Sequence, residues 1–163
     1  MAVTQDIAAT WRGPSAVFDR MIRGGQGDDV ILIHALLGGL LHFAAMAPAQ
    51  SRAAFLDPSV PLEARLFWAA MFFVLVLPLG LWLITLILGG IAGLFGKKRF
   101  GRRLRLSLFW ALLAASPAAL LVGLTAGFVG EGSALSLTSL LWLGAALYFY
   151  IKGIAHPAWR PVA

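Results

Sequence analysis

Two histidines are the residues of this sequence best placed to do chemistry. His34 and His42 lie inside an apolar stretch, residues 30–48, that carries no Asp, Glu, Lys or Arg. On one helix, eight positions bring two side chains to within about 80° of each other around the axis and ~12 Å apart along it. Both rings could face one cavity, where neutral imidazoles ligate haem or a metal or relay protons. Haem ligands, however, meet at one level and usually come from different helices. No other apolar stretch offers a histidine, since His156 stands near the C-terminal end. The expectation is therefore two neutral histidines hydrogen-bonded inside a bundle, with no cofactor and no metal.

The second chemical feature is a basic cluster, Lys97, Lys98, Arg99, Arg102, Arg103 and Arg105. Such a cluster beside a membrane attracts anionic lipid headgroups, each cation adding on the order of 1 kcal/mol. It could also dock an acidic protein, or do no more than fix topology. Beyond it the chemistry is thin. The chain has no cysteine, which excludes disulfides, thiolate clusters and cysteine nucleophiles. No phosphate-binding glycine loop, HExxH, GxSxG or catalytic carboxylate pair is present, and Asp28-Asp29 reads as a solvated linker. No enzyme is expected.

The elements that must hold these residues are unusually plain. Four stretches, residues 30–48, 66–95, 106–129 and 135–151, contain no charged side chain apart from the two histidines. Each is long enough, or nearly so, to cross ~30 Å of hydrocarbon as a helix. The predicted fold is an all-α integral membrane bundle of four transmembrane helices with a short amphipathic interfacial helix before it. Residues 1–29 form a cytoplasmic segment, 30–151 the membrane domain and 152–163 a cytoplasmic tail. Counted by alternate loops, eleven of the 13 Lys and Arg fall on one side, leaving Arg52 and Arg65 on the other. That asymmetry places both termini and the basic loop in the cytoplasm of a bacterial inner membrane. It also accounts for the net charge of +6 without nucleic acid. Ala45-Met46-Ala47 imitates a signal-peptidase site, but the segment before it is too long and too acidic for a signal peptide.

Several local features refine this picture. After Gly13-Pro14, apolar Val17, Phe18, Met21 and Ile22 oppose Asp19, Arg20 and Arg23, predicting a helix lying on the inner leaflet with Trp11 among the headgroups. The 49–65 loop is rich in turn formers, and the long second stretch is expected to kink at Pro78. Gly89 with Gly93, and Gly123 with Gly127, have the spacing of close helix contacts. The first pair is expected to press on the small face of the third stretch; either pair could instead serve homo-oligomerisation. Trp68, Phe109-Trp110 and Tyr148-Phe149-Tyr150 are expected to anchor in the two interfaces.

Two stretches together resemble a known family. Residues 7–22, with Pro14 followed by Val17-Phe18, and residues 100–121, where a basic loop runs into Leu108-Phe109-Trp110-Ala111 and then Ser116-Pro117, resemble the Yip family of Ypt/Rab-interacting membrane proteins. The family commonly has five spans and a longer cytosolic N-terminal region, so GTPase binding is not carried over. The resemblance implies a non-enzymatic membrane protein acting through helix packing and contacts with lipids, anionic ones included, or with a membrane-protein partner. The alternatives are an accessory subunit of a larger membrane complex, and a small channel or transporter for an uncharged solute.

Overall fold

A computed structural model describes residues 3–97 and 100–159, and all of its regular structure is helical. The elements are α1 (Val3–Arg12), α2 (Pro14–Arg23), α3 (Asp28–Leu56), α4 (Leu62–Ala70), a π-helical segment (Met71–Val76), α5 (Leu77–Leu94), α6 (Phe100–Ala114), α7 (Ser116–Phe128), α8 (Ser133–Ile154) and a final 3₁₀ turn, Pro157–Trp159. Three helices are long and apolar enough to cross a membrane: α3, the continuous rod Leu62–Leu94, and the helix ending at Trp159. A fourth is added if α6 and α7, bent by 47° at their junction, count as one crossing.

α6 is the centre of the molecule. Leu106, Phe109, Trp110, Leu113 and Ala114 are all buried, and α3, α5 and α8 pack around them. The expectation of interfacial anchors therefore fails for Phe109 and Trp110, and for Phe149, which is buried in the same core. The Trp110 ring sits edge-on to His34 at 5.0 Å, and its N–H donates to the Thr10 hydroxyl at 3.2 Å. A buried indole needs such a partner, and the N-terminal segment supplies it. Trp68 and Tyr148 are exposed.

The N-terminal segment also departs from expectation. Helices α1 and α2 fold back on each other about Gly13, bringing Arg20 to the Asp6 carboxylate. Pro14 opens α2 where its missing N–H costs nothing. The apolar stripe of α2 faces the protein, not a leaflet: Val17, Phe18 and Met21 are buried in the core shared with α6 and α8. Gly153 makes this possible, since a Cβ there would stand 2.6 Å from the Phe18 ring and 2.7 Å from the Ser107 hydroxyl.

The bend between α6 and α7 follows from Pro117. Proline has no N–H to give, and the Ala118 amide turns to the Ala115 carbonyl at 3.0 Å. The Ala114 carbonyl, which Ala118 would bond in an unbroken helix, is thereby freed. The Trp11 indole N–H donates to it at 2.8 Å, while the Trp11 ring meets Phe149 edge-on at 5.4 Å. Trp11 thus caps a broken helix, where the sequence suggested a headgroup anchor. Trp11→Phe keeps the ring and deletes the bond, so it should cost about 1–3 kcal/mol, the penalty for a buried carbonyl without a donor. Thermal unfolding in mild detergent checks this; an unaltered midpoint would remove the capping role.

Pro78 acts differently. The rod carries a π-helical turn just before it, in which the Leu77 amide donates to the Phe72 carbonyl. The extra residue relieves the clash between the proline ring and the preceding turn. Pro78 is one of two buried residues in α5, lying 3.2 Å from the Cβ position of Gly39. The Phe73 carbonyl, whose π-helical donor would have been Pro78, points onto Gly39 closely enough that any side chain there would strike it. At the far end of α3, Ser59 donates its backbone N–H to Asp57 at 3.1 Å. The Ser59 hydrogen bonds, with Arg65 nearby, hold the exposed Asp57 carboxyl below the usual carboxylate range.

Candidate functional site

α5 and α8 both lean on α6, and between them opens a recess of about 750 Å³. Its floor is α3, from Ala35 through Gly39 and His42 to Met46, with Phe109, Ala119 and Val122 behind. One wall is the π-turn and Pro78. The other is α8, with Ser136, Ser139, Leu140 and Trp142. The proline and the π-turn set the first wall back, and glycines on α3 keep the floor low. The volume lies within the ~300–1,000 Å³ usual for small-molecule sites.

His42 is the only ionisable side chain in that lining. Its Nδ1–H donates to the Gly38 carbonyl at 2.8 Å, and its Nε2 accepts from the Trp142 indole at 3.1 Å. The indole can only donate, so these partners fix the neutral tautomer with both nitrogens occupied. The expected hydrogen-bonded structural histidine is found here. His34 differs, because its Nδ1 is buried without a hydrogen-bond partner among the described residues. Its neighbour Trp110 has already given its N–H to Thr10. The two histidines thus differ in their surroundings: His42 is hydrogen-bonded on both nitrogens, and His34 packs against the Trp110 ring.

The basic cluster divides into tied and outward residues. Arg105 is buried, donates to both oxygens of Asp28 at 3.0–3.1 Å, and lies 5.4 Å above the Trp82 ring. This joins the first turn of α3 to α5 and α6, so Asp28 is more than a solvated linker. Arg102 donates to the Gln26 carbonyl at 2.5 Å. Arg103 donates to the Ile154 carbonyl, capping the end of α8 where a cation is favoured. Lys97 is exposed, and Lys98 and Arg99 lie outside the described residues.

The glycines sort just as clearly. A Cβ on Gly123 would collide with the Ala45 carbonyl, and one on Gly127 would stand 2.5 Å from Pro48. That pair seats α7 on α3, the most extensive helix contact in the molecule. Gly89 packs on Gly101 at the start of α6, 2.6 Å from its Cβ position, whereas Gly93 has nothing within 4 Å. The expected contact with the small face of the third stretch is therefore not made, since Gly89 meets Gly101, which precedes that stretch. Gly89→Leu should destabilise the fold by about 1–3 kcal/mol through overpacking, and Gly93→Leu should be nearly neutral. Equal effects in detergent unfolding would contradict this assignment.

The recess went unforeseen because no single residue announces it. Its signals were Pro78 and Gly38-Gly39, yet only the packing shows that they oppose each other. No family model matches this chain, and neither does any curated protein or solved structure.

Proposed function

We propose that this chain is a non-enzymatic bacterial inner-membrane protein of the Yip type, crossing the bilayer four times with both termini in the cytoplasm and acting through its contacts with lipids. The recess carries this reading. It is lined almost wholly by apolar side chains, and it opens between α5 and α8, whose outward faces bear exposed Leu79, Leu83 and Leu137. An opening flanked by such faces leads into hydrocarbon. Its one ionisable side chain has both nitrogens engaged within the bundle.

The bent α6–α7 pair is read as one crossing because Trp11 satisfies the carbonyl at its break, as lipid requires of any exposed backbone group. The basic asymmetry supports the orientation. Lys97, with Lys98 and Arg99 beside it in sequence, would meet anionic headgroups, while Arg102, Arg103 and Arg105 hold that end of the bundle together.

Two measurements test the reading. Cytoplasmic reporters fused at Ala163 or within residues 96–101 should be active, as should a periplasmic reporter at Ser59; a periplasmic signal from Ala163 would refute the topology. Native mass spectrometry of the full chain from mild detergent should find phospholipid retained. A bare chain would overturn the lipid reading, and a stoichiometric protein partner in place of lipid would favour the accessory-subunit alternative.

A further inference from the structure

We infer that the recess holds a single acyl chain of a membrane glycerolipid, with the chain's ester end at Ser136 and Ser139 and its methyl end toward Leu81 and Phe109. This deepens the lipid reading above and rests on it.

Size is the first argument. The recess runs along α3 from Ala35 to Met46, ~16 Å at 1.5 Å per residue. Its volume, about 750 Å³, is that of a small-molecule site, and its length suits a flexible hydrocarbon chain lying along α3.

Polarity gives the direction. In the middle of the recess the potential hydrogen-bonding groups are occupied: His42 is bonded on both nitrogens, and the Trp142 N–H is spent on it. The hydroxyls lie at one end, on Ser136 and Ser139. An ester can only accept, and Ser136 spends its hydroxyl hydrogen on the Gly132 carbonyl at 3.2 Å, which leaves the Ser139 hydroxyl in the lining as the ester's donor. At the other end stand Leu81, Phe109 and Ala35, with no polar side chain. An occupant must therefore be apolar over most of its length and weakly polar at one tip. With no cation in the lining, that tip carries no charge, which fits an ester and not a free carboxylate.

Depth agrees. Ser136 and Ser139 lie ~5–9 Å along α8 from its start at Ser133. That is the level where the interfacial layer gives way to hydrocarbon. In the orientation proposed above, this end belongs to the outer leaflet.

The test uses the full chain in lipid nanodiscs containing phosphatidylglycerol or phosphatidylethanolamine. Each carries a photoreactive diazirine either near the ester or near the chain terminus, and labelled residues are mapped by mass spectrometry. The ester-proximal probe should label Ser139, Leu140 and Leu143, and the terminal probe Leu81, Phe109 and Ala35. Ser139→Trp and Leu77→Trp, which block the recess from opposite walls, should each abolish recess labelling while labelling of the outward Leu83 persists. If one variant fails to fold, the other still decides. Labelling of outward faces alone would overturn both the acyl-chain site and the lipid reading built on the recess. Recess labelling with the two probes exchanged in depth would overturn the direction inferred here and leave lipid binding intact. Displacement by free fatty acid but not by unlabelled phospholipid would overturn the assignment to a glycerolipid. Crosslinks from the recess to a second polypeptide would replace the chain with a helix.

Discussion

Trp110→Ala should be among the most damaging substitutions in the chain. Trp110 heads the largest fully buried side chains, and it joins three elements: it belongs to α6, bonds Thr10 of α1 and stacks edge-on with His34 of α3. Lipid tails are as apolar as this core, so transfer from water contributes little and packing contributes most. Deleting a volume on the order of 140 Å³, at ~24 cal/mol per Å³ of unrelaxed void, costs about 3 kcal/mol. The Thr10 hydroxyl loses the indole's hydrogen bond but keeps the one it donates to the Asp6 carbonyl, so it adds little. Equilibrium unfolding in mixed micelles should register the loss, and Trp110→Phe, which keeps most of the volume, should lose less. A Trp110→Ala protein within about 1 kcal/mol of the parent would show that the site collapses freely.

Gly123→Leu should rival it by the opposite route. The Ala45 carbonyl occupies the space a side chain would need, so the clash is with backbone and no rotamer escapes it. α3 and α7 must separate along their whole contact, at a cost of about 3 kcal/mol or more, the upper range for overpacking. Gly144→Leu is the control, since nothing lies within 4 Å of that position. Its unfolding midpoint should stay put. Should Gly123→Leu keep its stability and lose only self-association, the glycine would belong to a dimer interface.

What the sequence revealed and what it hid follow from where each signal resides. Charge-free stretches predict long apolar helices because a membrane excludes charge whatever a helix packs against; hence the helices were legible. Pro78 was visible as a kink and Pro117 only as part of a motif, and the outcome at each depended on partners elsewhere in the chain. One break became a 47° bend capped by Trp11, the other a π-turn against Gly39. The stripe of α2 was read correctly as apolar, yet periodicity cannot say whether an apolar face meets lipid or protein. Phe18 meets protein because Gly153 leaves room for its ring. The recess was the least legible feature, since it arises where α5 and α8 fail to meet, and an absent contact leaves no mark on either helix.

The bond between Trp11 and Ala114 also carries a clock. Its two ends are 103 residues apart in the chain. At 5–20 residues per second, synthesis puts about 5–20 s between them. During that interval α1 and α2 have been made while α6, on which they pack, has not. Phe18 and Trp11 are then apolar and unsheltered, within reach of whatever insertion or holding factor stands at the ribosome exit. The pair α1 and α2 can reach its final seat only after the helix carrying Ala114 has emerged, so segments made earlier are put in place later.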